Sequence, residues 1–370
     1  MIKNSVNTGV AGLSNGVKIL ILTGMLSYRG TGIYTLNLAE ELHAKGHSIR
    51  IICAGGALQS EFAALKIPVD VFPSLMQPLD KLFFPQYLLK GIKDDLPDII
   101  HLHNPYLSGL AARIANRLKK PYCITIPHIQ MLPKKLKINK KWLKSIIVTS
   151  ESAREYLVNE SKIPKELIEV VYVGVSMNRL KPGSTLDRGK TSPVIGIVGP
   201  LEEWRGHQDF LNAAKEVIQS GYDAQFLIIG EGPLESGLRQ LAISLGIQNH
   251  VVFIPSITSY YQILPTVDIF VFPFLKVGMG ITLIEAMALA KPVIVSAIGD
   301  VYKLVKSGET GWLVPPKTPL AIKEKIIYTL KNQKQSAEIG LKAQSFIKST
   351  LSAQQMAEST LVVYQKVIAG

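Results

Sequence analysis

Apolar positions along this chain fall into short continuous runs separated by stretches of helical spacing, and the alternation persists almost from end to end. Runs at 17–23 (VKILILT), 48–53, 98–103 (DIIHLH), 121–127 and 146–149 predict buried strands of a sheet covered on both faces. Between them, 33–45 and 108–119 space their apolar residues as helices do, the first closing at Gly46. The pattern restarts beyond a loop rich in Gly, Ser, Thr and Pro at 182–193. There, strands are predicted at 194–198, 225–229, 251–254, 269–273 and 292–296, and helices at 208–220, 234–245, 282–290, 318–332 and 353–369. Such alternation predicts an α/β chain of two doubly wound parallel-sheet domains. Their expected spans are 1–185 and 186–350, with a C-terminal helix in 351–370 packing back toward the first, and a ligand cleft where the halves meet.

The length of 370 residues agrees, being too long for one core and suited to two of about 180. With 47% apolar and 19% charged residues, a disordered chain is excluded. Cys53 and Cys123 cannot build a disulfide framework and form no Cys-x-x-Cys pair, so a reducing compartment and no structural zinc are expected. Mean hydropathy is +0.22, yet no run nears the ~18 apolar residues of a spanning helix. Residues 1–16 are polar and lack the apolar stretch of a signal peptide, which points to a cytoplasmic protein.

Charge adds an asymmetry. The formal net charge is +13, and through Thr185 there are 24 Lys and Arg against 13 Asp and Glu, while the remainder has 17 against 15. Between Asp98 and Glu151 no acidic residue occurs, although ten Lys or Arg do. A one-sided excess suggests that the first half meets an anionic surface or substrate. Within it, 134–144 (KKLKINKKWLK) interleaves Lys134, Lys135, Lys137, Lys140, Lys141 and Lys144 with Leu136, Ile138, Trp142 and Leu143. A solvated charged face is the plain reading of such a run. The functional one is docking on an anionic membrane surface, with apolar insertion at 82–84 and 87–89. No recognised nucleic-acid module accompanies the run, so no nucleic acid is expected.

The densest chemistry lies in 276–300 (KVGMGITLIEAMALAKPVIVSAIGD). Gly278 and Gly280 make a turn into a helix starting near Ile281 and Thr282, whose free N–H groups suit phosphate. Glu285, one turn in, offers a carboxylate to a sugar's vicinal hydroxyls, or merely complements the helix dipole.

Here the sequence resembles glycosyltransferase family 4, the GT-B fold of two facing Rossmann-like domains, whose members take nucleoside diphosphate sugars and retain anomeric configuration. GITLIEAMALAKPVIVS followed by GD is similar to its nucleotide-sugar signature. LAEELHAKGHSI, DIIHLHNP, PYCITIPH, VVYVGVSMNRLKP, GPLEEWRGH, LIIGEGP and DIFVFP follow the family's order over nearly the whole chain. The resemblance implies that Glu285 grips the ribose, that Ile281 and Thr282 N–H groups with Gly280 hold the diphosphate, and that Arg205 neutralises it. It further implies that Gly30, Thr31 and Gly32 approach the donor phosphate and acceptor. His128 would stand beside the reacting carbon, with Val277, Gly278 and Met279 lining the sugar pocket.

Plainer alternatives stand beside these roles. His128 also reads as a loop histidine, and Arg205 as a surface arginine with Trp204 shielding a helix start. His101 and His103, alternating on one strand, are expected to divide, His101 into packing and His103 to a rim, with no third ligand for a metal. The chain departs from the family where Val277 replaces a glutamate, where Pro200 replaces an arginine, and where Arg205 replaces a lysine.

The resemblance therefore implies a retaining, metal-independent glycosyltransferase in polysaccharide, lipopolysaccharide or lipid-linked glycan synthesis. It would use a UDP-sugar as co-substrate and no cofactor, and it would be cytoplasmic or peripheral on the membrane's inner face. The rivals are a non-catalytic nucleotide-sugar binder, suggested by Val277 and Pro200, and a nicotinamide-dependent oxidoreductase. The Gly30-x-Gly32 turn lacks the third glycine that the latter needs.

Overall fold

A parallel strand buried on both faces must be apolar at nearly every position, and the strands of the computed structural model obey this. The described residues are 16–28, 30–77, 92, 95–134, 136–180, 192–255, 260–276 and 280–370. They divide into two α/β units. One runs to Gly174 and takes in Ala353–Gly370, and the other is Val175–Ser352.

The first unit holds β1 (Lys18–Leu22), β2 (Ser48–Cys53), β3 (Val69–Val71), β4 (Ile99–Leu102), β5 (Tyr122–Ile126), β6 (Leu143–Val148) and β7 (Ile168–Val170), ordered β3-β2-β1-β4-β5-β6-β7. All pairs are parallel, with Ile19 of β1 opposite both Ile49 of β2 and Ile99 of β4. Ile21, Ile51, Ile100, Ile124 and Ile147 have no exposure, each contributing about 1.5–3 kcal/mol. Helices Gly30–Ala44, Ser108–Leu118 and Glu151–Asn159 pack on these strands. The last is started by Ser150, whose hydroxyl accepts from the Ala153 N–H at 3.2 Å. Because β2 and β4 flank β1 on opposite sides, the loops after β1 and β4 diverge and open a crevice at the strands' C-terminal ends.

The helix Ala353–Ala369 belongs to this unit, packing on helix Gly30–Ala44, β4 and β6. Lys366 pairs with Glu169 at 2.8 Å. The units part at Gly174, ahead of the 182–193 stretch. Here the Val175 N–H donates to the Leu351 carbonyl at 2.9 Å, so the two linking segments run together.

The second unit orders β8 (Val194–Val198), β9 (Gln225–Ile229), β10 (Val251–Ile254), β11 (Ile269–Phe272), β12 (Val293–Ser296) and β13 (Trp312–Val314) as β10-β9-β8-β11-β12-β13, all parallel. The order reverses between β8 and β11, and these two strands lead toward Arg205 and the helix Ile281–Ala288. Three strands escape the apolar pattern: β3, β7 and β13 have three residues each, too few to show a period. The helix Gln333–Thr350 escapes it too, because Ser336, Gly340 and Ala343 share its buried side with only Ile339 and Ile347. Gly340 is required there, since a Cβ would lie 2.0 Å from the Ala290 carbonyl oxygen. The Gln344 amide donates to the Ala288 carbonyl at 2.7 Å. Thus a helix invisible to periodicity buttresses Ile281–Ala288.

Candidate functional site

In the second unit, β11 ends in an aromatic platform, with Phe272 and Phe274 stacked at 3.5 Å between centroids. Gly280 caps the helix Ile281–Ala288 against it, and a Cβ there would lie 2.4 Å from Phe272 Cζ. The first helical bond runs from Leu283 N–H to the Gly280 carbonyl at 3.0 Å, which leaves the Ile281 and Thr282 N–H groups ahead of the ladder. Glycine supplies no capping side chain, so this helix end keeps its positive pole. Glu285 is fully buried one turn further on.

Arg205 shares that platform. Its guanidinium carbon lies 4.2 Å from the Phe274 ring centroid and 3.9 Å from that of Trp204. Gly206, at φ +74°, turns the chain so closely past Pro273 that a Cβ would meet its carbonyl oxygen at 2.0 Å. Arg205 Nε is buried without a hydrogen-bond partner among the described residues. Burial draws the guanidinium down to about 9, with Glu202 opposing, so it stays charged at neutral pH. The chain thus holds a desolvated cation and a helix N-terminus on one ring stack, an arrangement suited to an anion with several oxygens. Sequence reasoning missed His207. It is 2% exposed, neither ring nitrogen has a partner among the described residues, and burial followed by Arg205 pushes it down to about 3. Its place two residues after Arg205 was the available signal. The Thr282 hydroxyl is likewise buried without a partner.

In the first unit, Gly30, Thr31 and His128 come together. His128 Nε2 lies 3.6 Å from where a Cβ on Gly30 would sit, and the Thr31 hydroxyl contacts Met131 Sδ at 3.6 Å. Gly32 is needed because a Cβ would lie 2.0 Å from the Ser27 carbonyl oxygen. Behind this turn, the Thr35 hydroxyl donates to the Thr31 carbonyl at 2.8 Å, so it accepts from His103 Nδ1, also at 2.8 Å. That fixes the His103 tautomer.

The expected division of His101 and His103 is corrected. Residues two apart on a strand share a face, and both are fully buried with ring centroids 4.2 Å apart. His101 bonds Tyr364 Oη at 2.6 Å and Thr125 Oγ1 at 2.7 Å, while His103 Nε2 approaches His101 Nδ1 at 3.1 Å. Burial holds both imidazoles neutral, His103 down at about 3.

Val277, Gly278, Met279 and Lys135 lie outside the described residues, as do 82–84 and 87–89. The lysine run is not one surface: Leu143 and Lys144 enter β6, and Lys144 donates to the Gly370 carbonyl at 3.0 Å. Among the described residues, no helix is long and apolar enough to cross a membrane.

The model described as "Glycosyltransferase Family 4" matches residues 28–179, and "Glycosyl transferases group 1" matches 184–346. The chain is 21% identical over 367 residues to the N-acetyl-alpha-D-glucosaminyl L-malate synthase of Bacillus anthracis, covering 92% of this chain and 95% of that protein. It is 26% identical over 230 residues to the capsular polysaccharide biosynthesis glycosyltransferase CapM of Staphylococcus aureus, covering 59% and 60%. Against the alpha-D-kanosaminyltransferase of Streptomyces kanamyceticus it spans 48% of that protein. The Anabaena protein HepE, solved with UDP and glucose, shares the fold at TM-score 0.82 and 18% identity, covering 94% and 99%. A glycosyltransferase from Rickettsia africae gives 0.75 and 21%, covering 95% and 98%. With both halves matched and two parallel-sheet units in sequence, the chain belongs to glycosyltransferase family 4 and has the GT-B fold.

Proposed function

We propose that this chain transfers a sugar from a nucleoside diphosphate sugar, specifically a UDP-sugar, to a hydroxyl of a glycan or lipid-linked acceptor. The observation that carries the reading is the Phe272–Phe274 platform, which gathers the Gly280-capped helix end and Arg205, whose Nε has no hydrogen-bond partner among the described residues. In this reading the diphosphate sits on the Ile281 and Thr282 N–H groups with Arg205 alongside, and Glu285 takes the ribose hydroxyls. Gly30, Thr31 and Gly32 approach donor phosphate and acceptor, and His128 stands beside the reacting carbon. Support for UDP comes from HepE's bound UDP and glucose and from the UDP-Gal named for an Escherichia coli relative, 24% identical over 325 residues.

The anomeric carbon's bond to the diphosphate oxygen breaks while a bond to the acceptor oxygen forms. The acceptor's proton leaves to the departing diphosphate. Negative charge grows on that leaving group, where Arg205 and the helix N-terminus are preorganised to meet it. Transfer with retention and without a divalent cation is part of the same reading. So is peripheral placement at the cytoplasmic face of an anionic membrane through the lysine run, and a donor-sugar wall at Val277, Gly278 and Met279.

A thermal-shift screen of UDP, ADP and GDP sugars tests the donor. A donor at 100 times its Kd is expected to stabilise by about 2.7 kcal/mol, and no shift with any of them overturns the reading. In transfer assays with the donor found, His128→Ala lowers kcat and leaves UDP affinity intact. A rise in KM alone reassigns His128 to binding.

A further inference from the structure

The first unit carries a groove of about 1030 Å³ that none of the sugar chemistry uses. Its floor is Leu132, Leu136, Ile163 and Leu167, half-buried side chains lying on a core that includes Leu143 and Ile146. Its lip carries Tyr156 and Ile138, 40% and 39% exposed. Lys134, Lys140 and Lys162 stand on the rim with a single carboxylate, Glu160. An apolar floor under a cationic rim complements an amphiphile with an anionic head. The volume, at the upper end of the ~300–1,000 Å³ typical of small-molecule sites, has room for a chain and a headgroup.

The structure also sorts the lysines. Lys137 lays its aliphatic carbons along Gly109, and its N–H donates to the Ser108 hydroxyl at 3.2 Å. Lys141 lies over Trp142 at 5.1 Å, and Lys144 is held by the Gly370 carbonyl. Lys162, well outside the run, takes their place at the groove. A diffuse basic face would use every exposed lysine of the run, whereas a groove uses Lys134, Lys140 and Lys162.

We propose that this groove binds an anionic phospholipid, one acyl chain lying on Leu132, Leu136, Ile163 and Leu167 and its phosphate meeting Lys134, Lys140 and Lys162. The proposal rests on the membrane-docking part of the reading above and is independent of its sugar-transfer part.

Titration calorimetry of the full chain with monomeric dihexanoyl phosphatidylglycerol tests it. The controls are dihexanoyl phosphatidylcholine and glycerol 3-phosphate, which carry the chains without net charge and the charge without chains. Phosphatidylglycerol is expected to bind at least about tenfold tighter than either control. The combined variant Lys134→Gln, Lys140→Gln, Lys162→Gln loses that advantage, whereas Lys137→Gln, Lys141→Gln, Lys144→Gln keeps it. Equal losses in both variants, or equal affinity for glycerol 3-phosphate, overturn the groove. Leu136→Asp is expected to abolish binding. Should that variant not fold, the exposed Lys162→Gln alone still has to weaken it. Sedimentation with phosphatidylcholine vesicles containing phosphatidylglycerol separates the two ideas. Vesicle binding without monomer binding leaves membrane docking standing and removes the groove, and the absence of both removes docking as well. A dimer that Leu136→Asp dissociates, with no lipid effect, assigns the groove to a second copy of the chain and overturns the lipid.

Discussion

Both units bury polar side chains near the point where their strand order reverses, but the two clusters are partnered in opposite ways. In the first, His101, His103, Thr35, Thr125 and Tyr364 have no exposure and bond to one another, tying β4, β5 and two helices into one network. In the second, Arg205 Nε, both His207 nitrogens and the Thr282 hydroxyl are shut from water with no partner among the described residues. Each such group costs about 1–3 kcal/mol. An arriving anion recovers part of that cost in the second cluster, and the first has none to recover. On the proposed function, the difference separates scaffold from binding chemistry more sharply than residue type does, since both clusters rely on histidine.

The contrast breaks first at His101. His101→Ala strands Tyr364 Oη and leaves Thr125 Oγ1 with the Tyr34 hydroxyl at 3.3 Å, so unfolding in urea is expected to lose about 2–4 kcal/mol. A loss below ~1 kcal/mol would mean the network is not structural. Arg205→Ala should behave in reverse. UDP affinity falls by about 1.5–3 kcal/mol, while the free protein loses little stability because the cost of burying the guanidinium goes with its ring contacts. Unchanged affinity in calorimetry removes Arg205 from the site.

The third effect appears only in acid. His103 and His207 both sit near 3, against the ordinary 6.5, because burial disfavours their charged forms. Between those values the unfolded chain binds protons that the folded chain refuses. Stability is therefore full above about pH 6.5 and falls as pH drops toward 3, by up to ~1.4 kcal/mol per unit for each histidine. His207→Asn should flatten the slope by one histidine's share, and an unaltered slope would show that His207 is not held neutral by the fold.

Much of this was legible in the chain itself. β11 (IFVF) and β12 (VIVS) are buried at every position, and their apolar runs announce them. Gly280 and the residues after it gave the helix start, because a glycine turn before a helical pattern has few other meanings. The three-residue strands and the helix Gln333–Thr350 stayed hidden. Short strands are fixed by neighbouring strands, and that helix buries small and polar residues where periodicity looks for large apolar ones. The lysine run was legible only as a run: charge spacing does not tell that Lys144 lies in β6 while Lys162 lines the groove.

Sequence by itself determined most of the longer strands and helices, that there are two doubly wound units, and that Arg205, Ile281, Thr282 and Glu285 are the residues to watch. Those properties are local, set by period, turn residues and motif order. Tertiary structure alone decided that Arg205 Nε lacks a hydrogen-bond partner among the described residues, that His207 joins it, and that His101 and His103 are sealed into a network reaching Tyr364. Partnering and burial depend on which distant segments meet, as residues 101 and 364 do, and no local pattern encodes that meeting.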